Sequence, residues 1–89
     1  MPEKTVTLIN KKGLHARAAT RVVQVSQQYQ AKTELSLGDK SANTRNIMQL
    51  LMLAAPCGTQ LNLRAEGEDA EAALAALDEL IQARFDEEE

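Results

Sequence analysis

The last third of the chain carries the pattern that most restricts its fold. Leu61, Leu63 and Ala65 alternate with polar residues, which is typical of a half-buried β-strand. The period then changes to that of a helix, with Asp69 as the expected N-cap. A strand and a helix that each have one apolar face must bury those faces, so the pattern predicts helices layered on a sheet. The stripe of this predicted helix consists of Ala70, Ala73, Leu74, Leu77, Leu80, Ile81 and Arg84.

The first half of the chain repeats the same two periods. Residues 4–10 alternate between apolar and polar positions and are rich in β-branched side chains, so they predict a strand. The apolar positions of residues 16–29 follow the helical period and predict a helix. Residues 32–37 and 40–43 predict a hairpin, because Gly38-Asp39 between them is a turn-forming pair.

Residues 47–54 form a short apolar run that ends before Pro56 and Gly58. Its period does not separate a short helix from a buried strand, but its residues are good helix formers, so we predict a helix. The element order is then β-α-β-β-α-β-α. This order predicts an α+β fold, an open-faced two-layer β-sandwich with three helices on one face of a four-stranded antiparallel sheet. We expect residues 1–89 to form a single domain with a frayed acidic tail, residues 86–89.

Composition excludes several kinds of site. Cys57 is the only cysteine and His15 the only histidine, so the chain can form neither an intrachain disulfide nor an intrachain Cys/His zinc cage. We therefore expect no metal and no cofactor. The net charge of −3 is unlike that of a basic nucleic-acid binder, and only Tyr29 and Phe85 could stack on bases. We expect no nucleic-acid partner.

The charges are unevenly distributed along the chain. Residues 1–45 hold eight Lys/Arg and three Asp/Glu, whereas residues 46–89 hold two Lys/Arg and ten Asp/Glu. The asymmetry predicts a dipolar surface whose basic side attracts anionic or phosphorylated partners and orients them.

No targeting segment is recognisable. Residues 1–10 include Glu3 and Lys4 and are too short and too polar for the apolar core of a signal peptide. No run approaches the roughly 18 apolar residues of a membrane span. We expect a cytoplasmic protein without membrane insertion.

One segment combines a nucleophile with anion-binding groups. In residues 13–17, Gly-Leu-His-Ala-Arg, His15 stands where the first strand gives way to the first helix. If His15 is the N-cap, the N–H groups of Ala16, Arg17 and Ala18 point out of the helix end, which accepts phosphate readily. Arg17 adds a permanent positive charge, and a neutral imidazole is a competent nucleophile near neutral pH. The spacing alone leaves open that His15 is only a capping or surface residue.

The segment 13–17, preceded by Val-Thr-Leu-Ile-Asn-Lys at 6–11, resembles the HPr family, the histidine-containing phosphocarriers of the bacterial phosphoenolpyruvate-dependent phosphotransferase system. Residues 46–48, 58–59 and 65–70 also match, and the resemblance extends from about Glu3 to Phe85. It implies a phosphoryl carrier and not an enzyme. It implies that phosphorylated enzyme I phosphorylates His15 on Nδ1, that Arg17 assists, and that His15 passes the group to enzyme IIA domains.

The resemblance also implies docking through the first two helices. Residues 47–53 contain more apolar side chains than one helix face can bury, so some must be exposed. That exposure is either adventitious or a docking patch, and the family favours the patch. The expected docking residues are Arg21, Ile47, Met48, Leu51 and Met52. We expect the protein to be a monomer.

Two positions depart from the family pattern. Ala18 replaces a proline found in many members, which leaves one more N–H for a phosphate. Asn46 replaces the regulatory serine of Gram-positive members, so that phosphorylation switch should be absent. This loss, together with the Leu-Leu-Met-Leu run at 50–53, resembles the nitrogen-related branch called NPr. An alternative function is therefore a regulatory binding module of that branch, acting mainly through partner contacts.

Overall fold

The computed structural model describes residues 2–86, with the side chain of Asp86 excepted. The elements, in chain order, are β1 (Glu3–Thr7), α1 (Ala16–Ser26), β2 (Lys32–Leu37), β3 (Lys40–Asn43), α2 (Ile47–Met52), β4 (Gln60–Glu66), α3 (Ala70–Gln82) and a short 3₁₀ helix (Arg84–Asp86). The predicted order of strands and helices is confirmed.

The four strands form one sheet in the order β1-β4-β2-β3, and every neighbouring pair is antiparallel. The last strand in the sequence therefore lies between β1 and β2. In this register Leu61 faces Val6, and Leu63 faces Leu35. These four side chains are essentially fully buried, so they fix the register, because a shift by one residue would turn them outward.

All three helices cover one face of the sheet, as predicted. Val22 from α1, Leu50 from α2, and Leu77 and Ile81 from α3 join the strand side chains in one core. The other face carries polar residues such as Thr5, Glu34 and Asn62, which alternate with the buried positions. This is the open-faced α+β arrangement expected from the alternation of the strands.

The first strand is shorter than the predicted residues 4–10, because the chain leaves the ladder after Thr7. Leu8 is still buried, but its backbone pairs with a loop: its N–H donates to the carbonyl of Thr59 (3.0 Å), and its carbonyl accepts from Gly58 (2.7 Å). This loop pairing brings the segment after α2 against the segment that precedes α1.

The first helix ends at Ser26, and the prediction that it reaches residue 29 was wrong. Arg45, just before α2, donates hydrogen bonds to the carbonyls of Ser26 and Tyr29. The Ser26 hydroxyl donates to the buried hydroxyl of Thr44 (2.7 Å). These contacts with residues distant in sequence end the helix, and a local apolar period cannot reveal them.

The other helices also end before the predicted positions. Leu53 is the C-cap of α2, and Ala54 has a φ of 50°. Arg84 was assigned to the stripe of α3 but lies beyond its end, exposed, while the neighbouring Phe85 is buried in the core. The tail predicted to fray begins at Asp86, whose backbone belongs to the 3₁₀ helix, and residues 87–89 lie outside the described residues.

Asp69 is the N-cap of α3 by position, but its side chain makes no capping hydrogen bond to that helix. Its carboxylate accepts hydrogen bonds from the N–H groups of Gln30 (2.9 Å) and Ala31 (2.7 Å). These bonds, that from Gln30 foremost, hold the pKa of Asp69 below its ordinary value. The residue therefore ties the loop between α1 and β2 to the start of α3.

Candidate functional site

The site begins with a tight turn between β1 and α1. The N–H of Gly13 donates to the carbonyl of Asn10 (3.1 Å), which places Lys11 and Lys12 at the exposed corner of the turn. Gly13 has a φ of +66°, a left-handed conformation that favours glycine.

The turn is packed against the segment after α2. The N–H of Leu14 donates to the carbonyl of Ala55 (2.9 Å), and the Leu14 side chain is buried in the core. A Cβ on Gly13 would lie 2.4 Å from the same Ala55 oxygen and 2.7 Å from the Cα of Pro56. The segment after α2, at Ala55 and Pro56, therefore fixes the position of residues 13–14, which lead into α1.

His15 is the N-cap of α1, which meets the condition that the sequence argument set for phosphate binding at this helix end. Its backbone is extended (φ −98°, ψ −178°), its carbonyl accepts the first helical hydrogen bond from Ala19 (2.8 Å), and its side chain makes no capping hydrogen bond. The half-buried ring places Nδ1 3.0 Å from the carbonyl oxygen of Gly13. A carbonyl can only accept, so Nδ1 is the donor and carries the proton in this conformation.

The N-terminal end of α1 is electrostatically positive. The first turn contains no acidic residue, and the N–H groups of residues 16–18 precede Ala19, the first residue whose N–H donates to a helical carbonyl. Ala16 and Arg17 are exposed, so an anion can reach this end of the helix and the guanidinium of Arg17 is available to it.

Ala18 differs from Ala16 and Arg17 because it has no exposed surface. Its methyl group belongs to the core cluster of the domain. The sequence argument assigned the Ala18 N–H to a phosphate, but in this conformation a ligand atom reaches the N–H groups of Ala16 and Arg17 more directly.

The second helix presents an apolar surface. Ile47 is 38% exposed, Met48 67% and Met52 70%, whereas Leu50 and Leu53 are buried and Leu51 packs partly against the core. The predicted excess of apolar side chains on this helix is therefore real. The surface that we call the α2 patch consists of Ile47, Met48, Leu51 and Met52. Arg21, on α1, is exposed, and α1 and α2 pack against each other.

The side chain of Asn46 caps the start of α2. The side-chain oxygen of Asn46 accepts from the N–H of Gln49 (3.1 Å). The side chain of Gln49 in turn accepts from the N–H of Asn43 (2.9 Å). Amide side chains thus hold the beginning of the helix that bears the α2 patch.

Sequence reasoning missed Asn10, which it treated as the end of a strand. Asn10 is completely buried, and its Nδ2 donates to the carbonyl of Gly13 at 2.7 Å. No local signal pointed to this bond, because an asparagine in a turn typically bonds to the backbone two residues on, whereas Asn10 donates to the carbonyl three residues on.

The family model described as "PTS HPr component phosphorylation site" matches residues 2–83. The chain belongs to the HPr family. It is thus a non-enzymatic phosphocarrier of the phosphotransferase system, and the resemblance noted on residues 13–17 is confirmed.

Individual relatives cover the whole chain. It is 47% identical to the phosphocarrier protein HPr of Pseudomonas aeruginosa over 90 residues, with both chains fully covered. It is 41% identical to the phosphocarrier protein NPr of Shewanella violacea, over 96% of this chain and 93% of that protein. The crystal structure of HPr-C-His from Thermoanaerobacter tengcongensis superposes with a TM-score of 0.95 at 37% identity, with full coverage of both chains.

Two kinds of structure are not found in the described part of this HPr-family chain. Within residues 2–86, no three or more His, Cys, Asp or Glu side chains are grouped so that they could hold a metal ion. Among the same residues, no helix combines the length and apolar character needed to cross a bilayer.

Proposed function

We propose that His15 is the residue that carries the phosphoryl group, accepting it from phosphorylated enzyme I and passing it to enzyme IIA domains. The observation that supports this assignment is the place of His15 in an HPr-family fold, at the start of α1, where an anion can reach the helix end. The side chain makes no capping bond there, so the first turn is available to a phosphoryl group attached to the ring.

Transfer to His15 exchanges one bond to phosphorus for another. A lone pair on a ring nitrogen attacks phosphorus, the new N–P bond forms, and the bond between phosphorus and the donor protein breaks. The attacking nitrogen must be unprotonated, so the proton on Nδ1 first passes to solvent while Nε2 takes one up, and the lone pair on Nδ1 then forms the N–P bond. The family resemblance assigns the bond to Nδ1, and Nδ1 donates to the Gly13 carbonyl in the unphosphorylated protein. The ring must therefore release this hydrogen bond before it accepts the phosphoryl group.

The end of α1 then stabilises the added charge. The N–H groups of Ala16 and Arg17, the macrodipole and the Arg17 guanidinium all favour an anion at this point. The N–H of Ala18 can join them only if the buried start of the helix opens slightly. Each of these contacts is modest in contact with solvent, so they do not prevent an acceptor from taking the phosphoryl group when the N–P bond breaks.

The α2 patch and Arg21 are the proposed docking surface for both classes of partner. Exposed methionines fit a surface that binds several proteins, because their side chains adapt to different shapes. We also propose that the carrier works as a monomer in the cytoplasm, since one copy supplies every residue of this site.

A labelling experiment tests the assignment of His15. The full chain is incubated with phosphoenolpyruvate, magnesium and enzyme I, and phosphorylation is followed by intact mass and by acid lability. We expect one acid-labile phosphoryl group on the wild type and none on His15→Ala. A group that persists on His15→Ala, or its absence from the wild type, would contradict the proposal.

The role of Arg17 is tested with a matched charge reversal. Arg17→Glu should slow transfer at least tenfold, on the order expected for losing a charge-assisted contact to the phosphoryl group. Arg84→Glu makes the same charge change at an exposed position beyond α3 and should transfer at the wild-type rate. Equal rates for the two variants would show that only overall charge matters.

A further inference from the structure

The carbonyl of Gly13 accepts hydrogen bonds from three donors. Asn10 Nδ2 lies 2.7 Å from it, His15 Nδ1 3.0 Å and the His15 N–H 3.1 Å. The shortest of these bonds comes from Asn10, which has no exposed surface. The orientation of the Asn10 amide is fixed by chemistry, because only its NH₂ group can donate to a carbonyl.

The peptide group between Gly13 and Leu14 is held at both ends. Asn10 holds its carbonyl, and the carbonyl of Ala55 accepts from its N–H (2.9 Å). A peptide unit is planar, so two anchors on opposite sides prevent it from turning. The acceptor that orients the His15 ring is therefore itself fixed in position.

We propose that Asn10 is a positioning residue of the phosphorylation site. Its buried carboxamide fixes the Gly13 carbonyl that orients His15, and it remains as a donor to that carbonyl when Nδ1 is phosphorylated. This inference rests on the proposed function of His15. It adds a residue that acts on the reacting ring through one carbonyl oxygen.

Phosphorylation changes the number of donors around this oxygen. Nδ1 loses its proton when it bonds to phosphorus, so the carbonyl of buried Gly13 loses one of its hydrogen bonds. A buried carbonyl left without a strong donor is destabilising. Because Asn10 stays in place, its hydrogen bond stabilises the phosphorylated form more than the unphosphorylated form.

A purely structural role predicts a different result. If Asn10 only closed the turn, its removal would destabilise both forms equally and leave the equilibrium of phosphoryl transfer unchanged. The backbone bond from Gly13 to the Asn10 carbonyl (3.1 Å) survives substitution of the side chain. Replacement by alanine thus removes the side-chain bond while keeping the backbone bond of the turn.

The test measures the equilibrium between phosphorylated enzyme I and the full-length carrier. Asn10→Ala should lower the equilibrium constant for transfer to the carrier by about threefold to tenfold, as expected for one hydrogen bond that matters more in one form. Ser26→Ala is the matched control, since it also removes a buried hydrogen bond (2.7 Å, to Thr44) but at the other end of α1. Its equilibrium constant should equal that of the wild type.

Three results overturn the proposal. The first is an unchanged equilibrium constant for Asn10→Ala, and the second is an equal decrease for Ser26→Ala. The third is a wild-type chain that is not phosphorylated on His15, which overturns the proposed function as well. Phosphorylation of the wild type with no difference between the two variants overturns only the role of Asn10.

A measurement on the wild type keeps the test decisive if Asn10→Ala does not fold. The side-chain NH₂ protons of Asn10 are followed by NMR before and after phosphorylation. With one competing donor gone, the proton that bonds to the Gly13 carbonyl should move downfield and exchange more slowly with water. A proton that moves upfield or does not move overturns the proposal.

Discussion

A side chain on Gly13 would place its Cβ 2.4 Å from the carbonyl oxygen of Ala55. Non-bonded carbon and oxygen atoms do not approach so closely, so residue 13 has no room for any side chain unless backbone moves. The same Ala55 oxygen accepts from Leu14. The loop before His15 and the loop after α2 thus meet as two backbones in direct contact.

Substitution of Gly13 should therefore destabilise the protein much more than its positive φ alone would. Gly13→Ala should lower the free energy of unfolding by about 3 kcal/mol, through the left-handed φ and the steric overlap together. Gly38→Ala is the control, because Gly38 has a φ of +59° but nothing within 4 Å of the added methyl group. That variant should lose only about 1 kcal/mol. Urea denaturation measures the free energy of unfolding of both variants. Equal decreases would show that the backbone around Ala55 moves to admit the methyl group without a measurable loss of stability.

The absence of a capping bond from His15 gives a second prediction. An oxygen at this position would accept from the first turn of α1, because the extended backbone of His15 is that of an N-cap residue. His15→Asp should therefore have a free energy of unfolding about 1 kcal/mol greater than that of His15→Ala. Urea denaturation of the two variants gives the comparison. Equal stability of the two variants would mean that water already satisfies the N–H groups in the first turn of α1.

The α2 patch can be tested with one charge. Met48→Glu places a carboxylate on a side chain that is 67% exposed, so the fold should be unaffected, but transfer from enzyme I should slow about tenfold or more. Thr5→Glu adds the same charge to the uncovered face of the sheet and should not change the rate. Stopped-flow or quench measurements compare the two. Equal slowing would assign the effect to net charge and not to the patch.

The uneven charge distribution predicts a dependence on salt. Raising ionic strength from about 0.05 to about 0.5 M should slow transfer between carrier and partner several-fold, because long-range attraction is screened. Circular dichroism at both salt concentrations serves as the control for folding. A rate that does not change with salt would mean that charge does not steer the encounter.

Asp69 predicts a loss of stability in acid. Its pKa is lowered in the folded protein, so its contribution is present above the ordinary carboxyl pKa and is lost as pH falls through the lower, folded value. The amide proton signal of Ala31 should titrate with that lowered pKa, since it donates to the carboxylate. In Asp69→Asn this titration should disappear. A titration that persists in the variant would assign the pH dependence to another group.

The order of elements and the position of the site were predictable, because both follow from local patterns. The alternation in β4 and the stripe of α3 predicted the two layers, and the Gly-Leu-His-Ala-Arg segment placed His15 at a helix start. What failed depends on distant residues. Arg45 helps to end α1, and Asp69 binds Ala31 instead of its own helix.

Asn10 shows the same limit within the site. Its sequence position is that of a strand end, and nothing local says that its side chain is buried against the carbonyl that His15 also uses. Ala18 shows the opposite case, since a free N–H was inferred from the missing proline, but the packing of its methyl group in the core buries the residue. In both cases the burial of the residue depends on packing against residues distant in sequence.

The amide groups that cap α2 determine which chemical groups a docking protein meets at the first turn of this helix. Asn46 and Gln49 hold the start of this helix with groups that neither ionise near neutral pH nor accept a phosphoryl group. These two capping groups therefore have the same charge and the same chemical form under all cellular conditions. A protein that docks on the proposed α2 surface meets the same uncharged groups at all times, so only the proposed phosphorylation of His15 distinguishes the two forms of the carrier.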